Sequence, residues 1–302
     1  MEYSLFTYGA DALSLLPPRP ARSHKGTFGR VLCVCGSRGM CGAAYFAAAA
    51  AYRVGAGLVR ILTVRENLPV LQTLLPEAIV TVYDDESPEP QVLADAADWA
   101  DVLVIGCGLG VSVASRRVLS YLLRYCDKPK VLDADALNLL ARNPSLMKYA
   151  RGAILTPQPL ELSRLTGQAP EALLADSAAS AYAFAKGHGV VCVLKEHRTA
   201  VSDGSSRLYR NETGNSGMAT GGSGDVLAGI LGGLLAQCRN EDLTPLELAA
   251  LGVWLHGTAG DLAARELGEY SLMASDLLRY LPYVLRCGAP IRTASDDSCR
   301  PQ

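Results

Sequence analysis

The amino-acid sequence predicts an α/β protein in which helices cover both faces of a central, mostly parallel sheet. Short, continuously apolar runs alternate with helical segments along the chain, as they do in consecutive β-α-β units. Each unusual loop comes directly after one of those runs, and Gly (29 residues) far outnumbers Phe (4 residues). These observations favour an α/β fold with glycine-rich turns after its strands over a β-sandwich with an aromatic-rich core.

The predicted strands are short apolar runs that suit a sheet buried on both faces. They span residues 30–35, 57–63, 78–83, 101–105, 130–132, 153–155 and 190–194, and a hairpin follows at 200–202 and 207–210. Helices are predicted at residues 43–54, 112–125, 160–165, 170–186, 244–266 and 274–285, with a short helix ending at 140 and an apolar helix after Gly224. We interpret residues 24–290 as one domain, preceded by an arm at 1–23 and followed by a loose tail at 291–302.

Composition and charge exclude several classes of protein. Hydrophobic residues make up 49% of the 302 residues and charged residues 19%, so a large core can form and global disorder is excluded. A net charge of −2 without a basic run argues against a nucleic-acid surface. Nine cysteines without a CxxC pair indicate buried thiols, although Cys33 and Cys35 leave a ligand pair open. The absence of a signal-peptide pattern and of long apolar runs predicts a cytoplasmic protein.

The unusual loops should share one edge of the sheet, because ligands of such folds bind at the carboxyl ends of parallel strands. These loops are residues 36–42, 106–110, 133–135, 156–161 and 195–199. The first lacks the spacing of a P-loop, and the second breaks off before the full dinucleotide-binding spacing. For Asp133 and Asp135 we favour structural roles: one caps the following helix, and the other orients a loop or holds a hydrated cation.

The segment GGSGD, which ends at Asp225, stands directly before the apolar helix. Glycines there let several N–H groups converge at a helix N-terminus, which attracts anions. A carboxylate beside such an anion site suits a base that deprotonates a hydroxyl during phosphoryl transfer. The alternative is that Asp225 caps the helix and the glycines only make a turn.

Two other strand-end segments add candidates. Glu161, just inside a helix, would coordinate Mg²⁺ through water. A basic segment that follows a buried strand would hold nucleotide phosphates or ribose, or else form a solvated turn; its residues are Lys195, Glu196, His197, Arg198 and Thr199. His256 shows no metal spacing and is expected to be a buried histidine with satisfied hydrogen bonds.

Ten blocks of sequence, in order and spacing, resemble one family: the ADP/ATP-dependent NAD(P)H-hydrate dehydratases of the ribokinase-like superfamily. Among them are HKGTFGRVLCVCGS, VIGCGLG, VLDADALNLL, ILTPQPLE, VLKEHRT and NSGMATGGSGDVLAGILGG. The resemblance implies a ribokinase-like three-layer α/β/α fold. It also implies dehydration of the S epimer of hydrated NADH or NADPH, driven by ADP or ATP with release of phosphate.

By the same resemblance, Asp225 would be the catalytic base and also contact the substrate. Gly222, Ser223 and Gly224 would form the anion hole. Ala43, Gly108 and Gln158 fall at substrate-binding positions, and residues 195–199 together with Gly224 fall where the family holds the adenine nucleotide. Mg²⁺ is an expected cofactor, a homotetramer an expected assembly and a separate NAD(P)H-hydrate epimerase an expected functional partner. A requirement for a monovalent cation such as K⁺ is left open.

The chain departs from the family pattern in four places. Gln158 replaces a usual histidine and cannot carry charge. Glu196 replaces a usual glycine and should repel phosphates unless it points away. Cys107 replaces a usual proline, and Ser223 replaces a usual threonine while keeping a hydroxyl. None removes the base or the amide groups, so an active enzyme is predicted; a vitamin kinase of the same superfamily or an inactive nucleotide-binding regulator are the alternatives.

Overall fold

A ten-stranded sheet runs through the middle of the protein in the order β1-β10-β9-β8-β7-β6-β5-β2-β3-β4. The computed structural model describes residues 3–239 and 241–288, so the predicted tail at 291–302 lies outside the described residues. The strands are β1 (Ser4–Phe6), β2 (Arg30–Val34), β3 (Leu58–Val64), β4 (Ile79–Tyr83), β5 (Val102–Ile105), β6 (Lys130–Leu132), β7 (Ile154–Leu155), β8 (Val191–Leu194), β9 (Ala200–Ser202) and β10 (Arg207–Arg210).

The central strands are parallel, as the sequence predicts. Strand β2 pairs in parallel with both β3 and β5, and Val31 stands opposite Val59 on one side and Val102 on the other. Parallel pairing continues through β6 and β7 to β8. Only β9 is antiparallel to its neighbours, because it returns from β8 and continues into the hairpin with β10. Strand β1, from the segment interpreted as an arm, pairs in parallel with β10.

Helices cover both faces of the sheet and make the predicted three layers. They are α1 (Cys41–Arg53), α2 (Leu68–Leu74), α3 (Pro90–Trp99), α4 (Val113–Tyr125), α5 (Asp135–Arg142), α6 (Pro159–Thr166), α7 (Pro170–Ala175), α8 (Ser177–His188), α9 (Ser223–Gln237), α10 (Pro245–Leu267) and α11 (Ala274–Gly288). One core contains the buried residues of α1, α9, α10 and α11. The other contains those of α3, α4, α5 and α8. Successive residues of β2 alternate between the two cores, Val31 facing the first and Leu32 the second, as the pleat requires.

Two features of the helical layers differ from the prediction. The single helix expected at 170–186 is two helices, because Asp176 lies between them with φ −147° and ψ 88° and accepts a hydrogen bond from the Ala179 amide. Aspartate competes for backbone donors in this way and so favours a helix start. Helices α2 and α3 were not predicted; each is short and begins with a proline in its first turn.

No helix in the described ranges, 3–239 and 241–288, combines the length and apolarity needed to cross a membrane.

Helix α9 is apolar all round and lies between α1, α10 and the sheet. A Cβ atom on Gly229 would lie 2.1 Å from the Ala47 carbonyl oxygen of α1, and one on Gly232 would lie 2.3 Å from a Val104 methyl carbon of β5. Real Cβ atoms do not approach other atoms so closely. The glycines therefore set how near α9 comes to α1 and to the sheet.

We expect Gly229→Ala to destabilise the fold by about 3 kcal/mol, because the new methyl group overpacks a helix contact that has no free space. The matched control is Gly187→Ala on the exposed face of α8, where an added Cβ meets nothing within 4 Å. That variant should gain up to about 1 kcal/mol from helix propensity. Equilibrium urea unfolding measures both free energies, and equal stabilities for the two variants would contradict the packing argument.

Candidate active site

The carboxyl ends of the parallel strands form the edge at which the candidate site lies. From β2 the chain adds β3 and β4 in one direction, and from β5 it adds β6, β7 and β8 in the other. Ligands of open α/β sheets bind at such a reversal. The loops after β2 and β5 touch there, because the Gly36 amide donates a hydrogen bond to the Cys107 carbonyl at 2.8 Å. For these two loops the predicted sharing of one edge is thus confirmed.

The N-terminus of α9 brings the GGSGD segment to this edge. Gly222 has φ +94°, and a Cβ atom there would lie 2.8 Å from the ring of Phe46 and 2.9 Å from the Ala274 methyl carbon. Only glycine fits at this position, because it adopts the positive φ freely and has no Cβ to collide with the neighbouring side chains. The first amides of a helix lack partners within it; of these, the Ser223 amide donates only a long bond, 3.4 Å, to the Thr220 carbonyl. Gly222, Ser223 and Gly224 therefore offer amides and the positive end of a buried helix to an anion.

Asp225 lies half-buried as the third residue of α9, whereas the residue at the N-cap position is Gly222. The alternative role as a helix cap is therefore not supported. Burial raises the pKa of Asp225 to about 6, and the negative charge of Asp133 adds to that increase, whereas Cys107 and Lys195 oppose it. A carboxylate with a raised pKa in a cleft is typical of a general base.

A buried ion pair lies beside Asp225. The Lys195 Nζ atom is 2.6 Å from Asp133 Oδ1, and the two side chains are 15% and 2% exposed. Burial alone would lower the pKa of Lys195, but the carboxylates of Asp133 and Glu161 outweigh it and the pKa is raised. Lys195 therefore carries a positive charge at neutral pH. The ion pair also lies next to the N-terminus of α9, since a Cβ on Gly224 would lie 3.4 Å from the Lys195 ammonium.

The capping role expected for one of Asp133 and Asp135 is wrong. Ala134 precedes α5, with φ +49° and no side-chain cap bond. Asp133 binds the Lys195 ammonium instead, and Asp135 accepts a hydrogen bond from the Gly110 amide at 2.8 Å. A buried cation and a loop amide are stronger partners for these carboxylates than the solvated first turn of a helix. Asp135 does orient a loop, which the sequence analysis offered as the other role.

The predicted substrate-binding residues lie at the same edge but do not all meet. A Cβ on Gly108 would lie 2.8 Å from that of Ala43, so these two residues form one wall. Gln158 follows β7, with β6 between it and β5. The Gln158 amide donates to Glu161 Oε2 at 2.7 Å. Burial raises the pKa of Glu161, and the positive charge of Lys195 opposes that increase.

The predicted nucleotide segment divides into inward and outward residues. Glu196 accepts a hydrogen bond from the Ser177 hydroxyl at 2.8 Å, at the first residue of α8. The added carboxylate is therefore tied to a helix start. His197 and Arg198 are exposed, whereas Thr199 is buried and donates to the Glu196 carbonyl at 3.2 Å.

Two residues near Asp225 were not predicted to act there. Cys107 places its sulfur, with one oxygen each of Asp133 and Asp225, in a cluster whose atoms lie within 4.8 Å of one another. His256 contacts the Ser223 carbonyl at 2.9 Å, and burial lowers the pKa of His256 to about 4. It is the hydrogen-bonded histidine that the sequence predicted, although its side chain is half-buried and not fully buried. A usable signal for Cys107 was its place in the glycine loop after β5.

The fold and the glycine–aspartate site define a ribokinase-like protein. A crystal structure of a ribokinase-like superfamily protein from Enterococcus faecalis superposes with a TM-score of 0.83 at 30% identity, covering 94% of this chain and 96% of that one. A family model described as NAD(P)H-hydrate dehydratase (Carb_kinase) matches residues 31–283. The chain belongs to this family.

Individual relatives agree with that assignment. The ADP-dependent (S)-NAD(P)H-hydrate dehydratase of Neisseria meningitidis is 40% identical over 83% of this chain and 82% of its own length. A structure of the ADP/ATP-dependent NAD(P)H-hydrate dehydratase from Bacillus subtilis, co-crystallised with ATP/Mg²⁺, has a TM-score of 0.79 at 31% identity and covers 93% of this chain and 98% of that one. The bifunctional NAD(P)H-hydrate repair enzyme of Moorella thermoacetica is 43% identical over 90% of this chain. The chain spans about half, 52%, of that relative's length.

We expect Lys195→Met to destabilise the protein by about 3 kcal/mol, because it leaves Asp133 buried without its cation. Arg38→Met is the control: the Arg38–Glu66 ion pair is 72% and 46% exposed, and breaking it should cost no more than about 1 kcal/mol. Urea unfolding of both variants measures the difference. A Lys195 variant as stable as the Arg38 variant would show that the pair does not hold the site together.

Proposed function

We propose that this protein removes water from the S epimer of hydrated NADH or NADPH and so restores the reduced cofactor. The observation that carries the proposal is Asp225, a carboxylate with a raised pKa, beside the helix amides of Gly222, Ser223 and Gly224. This pairing suits transfer of a phosphoryl group to a hydroxyl. The names of relatives in its family supply the substrate: the dehydratase from Neisseria meningitidis is ADP-dependent and specific for the (S)-hydrate by name.

In the first step Asp225 takes the proton of the substrate hydroxyl. The hydroxyl oxygen forms a bond to the terminal phosphorus of the nucleotide, and the bond from that phosphorus to the leaving phosphate oxygen breaks. With ADP the leaving group is AMP, and with ATP it is ADP. The amides of Gly222, Ser223 and Gly224 hold the oxygens of the phosphoryl group during transfer, where a fixed set of donors stabilises negative charge.

In the second step the carbon–oxygen bond of the phosphate ester breaks. The phosphate leaves with the electron pair, and the lone pair of the ring nitrogen stabilises the cation that forms. The departing phosphate or a water molecule then takes a proton from the neighbouring carbon, which restores the ring double bond. Ala43 and Gly108, whose close contact forms one wall of the site, would pack against the nicotinamide ring, and Gln158 would offer it a hydrogen bond.

The nucleotide would lie along residues 195–199, next to the start of α9. Arg198 and His197 are exposed and could meet phosphates, and Gly224 leaves room for a close approach. Glu161 would be a water-mediated ligand for Mg²⁺, because its Oε2 atom is held by the Gln158 amide and Mg²⁺ keeps several waters and few protein ligands. When bound, Mg²⁺ would neutralise charge on the nucleotide phosphates. The homotetramer and the epimerase partner remain predictions from the resemblance, and the K⁺ requirement remains open.

We expect the absorbance of reduced nicotinamide to return when the purified protein is incubated with hydrated NADH, Mg²⁺ and either ADP or ATP. Asp225→Asn should lower this turnover by at least about 100-fold, because an amide cannot accept the hydroxyl proton. Nucleotide binding, measured by calorimetry, should persist in that variant. Asp95→Asn, on the exposed side of α3, is the control and should retain full activity. No recovery of absorbance with either nucleotide would reject the proposed function.

The acidic side of the pH–rate profile should report Asp225. Because only the ionised carboxylate accepts a proton and its pKa is raised to about 6, kcat/KM should fall about tenfold per pH unit below that value. Initial rates against enzyme-free blanks over the acidic range measure this limb. A flat profile down to the ordinary range of an aspartate would remove Asp225 from the role of base.

A further inference from the structure

The ring of His256 contacts the first residue of α9, where the candidate anion site begins. Its Nε2 atom lies 2.9 Å from the Ser223 carbonyl oxygen and 3.3 Å from the Ser223 hydroxyl oxygen. Within the described ranges, 3–239 and 241–288, the Ser223 hydroxyl forms no other hydrogen bond. One imidazole nitrogen thus contacts both the main chain and the side chain of Ser223, a residue that is only 8% exposed.

The packing of α10 fixes where this ring stands. A Cβ atom on Gly252, one turn before His256, would lie 2.6 Å from a leucine methyl carbon of α9. A Cβ on Gly257, the residue after His256, would overlap the hydroxyl oxygen of Thr213. The two glycines therefore let α10 pack closely against α9 and against the segment that leads into the anion site. Such close packing holds the imidazole ring next to Ser223.

The carbonyl contact assigns the proton of the ring. Burial lowers the pKa of His256 to about 4, so the ring is neutral at neutral pH. A neutral imidazole carries its proton on one nitrogen, and the other nitrogen presents a lone pair. A carbonyl oxygen only accepts hydrogen bonds, so a lone pair on Nε2 would face another lone pair across the 2.9 Å contact with Ser223. Nε2 is therefore the protonated nitrogen.

This protonation decides what the Ser223 hydroxyl can do. Because Nε2–H is a donor, the hydroxyl oxygen can accept from it but cannot donate its own proton to that nitrogen. In the part of the chain that the structure describes, the hydroxyl proton is then left without an acceptor. Ser223 is the first residue of α9 and lies between Gly222 and Gly224. An anion bound by the amides there would bring oxygen acceptors to this hydroxyl.

We infer that His256 is a positioning residue whose Nε2–H holds the carbonyl and hydroxyl oxygens of Ser223, so that this hydroxyl donates its proton to an oxygen of the transferred phosphoryl group. The inference rests on the proposed function for its consequence in catalysis, whereas the tautomer of His256 does not depend on the reaction. A side-chain donor that is fixed before the substrates bind adds to the backbone amides and needs no reorganisation during the transfer.

The kinetic test removes each partner of this contact in turn. Ser223→Ala should lower kcat by about 10- to 100-fold, the effect of losing one hydrogen bond to a charged group. The Kd of the nucleotide, measured by calorimetry, should change much less, because the donor acts on the phosphoryl group during transfer. Ser223→Thr keeps the hydroxyl and should keep most of the rate. His256→Leu should lower kcat to a similar extent, and His256→Gln, which retains an N–H donor, should recover part of that loss.

A double variant and a control make this result specific to the contact. If His256 acts through Ser223, the variant that combines Ser223→Ala with His256→Leu should be no slower than the slower of the two single variants. His188→Gln, at the exposed end of α8, is the control and should keep the wild-type rate. A Ser223→Ala variant with the wild-type kcat would overturn the inference, as would losses that multiply in the double variant.

Nuclear magnetic resonance of the wild-type protein covers the case in which a variant fails to fold or the enzyme proves inactive. With nitrogen-15 histidine, the protein should show the signals of four imidazole rings. Those of His256 are identified as the signals that are absent from His256→Gln or that shift in Ser223→Ala. At neutral pH, Nε2 of His256 should show the chemical shift of a protonated nitrogen, and Nδ1 that of an unprotonated one. A ring protonated at Nδ1 instead would refute the inference whatever the reaction.

Discussion

The close approach of α9 to α1 and to the sheet is the constraint on which the site depends. Gly229 and Gly232 allow it, because side chains there would collide with the Ala47 carbonyl and with Val104. Since the helix is rigid along its length, this contact also sets where its N-terminus stands. Gly222 and Asp225 reach the strand-end loops only because the rest of α9 lies so deep. The tight packing of α9 in the core thus determines where a few polar groups stand at the edge of the core.

Electrostatics at that edge follow from one buried ammonium and four carboxylates, those of Asp133, Asp135, Glu161 and Asp225. Lys195 binds Asp133 directly at 2.6 Å and is also coupled to Glu161. Asp225 is left with burial, a negative neighbour and a thiol, and its pKa is raised to about 6. Asp133 and Asp225 lie a few ångströms apart, but only Asp133 is paired directly with the ammonium. That difference separates a structural carboxylate from a candidate base.

The sequence predicted the larger features well, because they depend on local patterns. Buried strands such as residues 30–35 are short and apolar, glycines mark the loops after them, and a parallel sheet gathers those loops at one edge. Ranges that depend on weaker signals were less well predicted: Asp176 divides one expected helix into α7 and α8, and the short helices α2 and α3 were not recognised.

The sequence by itself determined the fold class, the strand-end placement of the candidate residues and the choice of Asp225 as the candidate base, since each follows from residue type and neighbours along the chain. Only the tertiary structure decided the partners. Asp133 and Lys195 are 62 residues apart and meet because β6 and β8 lie on either side of β7. Cys107 lies near Asp225 because α9 lies deep against β5. Such contacts depend on strand order and on the depth of a helix, which no local pattern encodes.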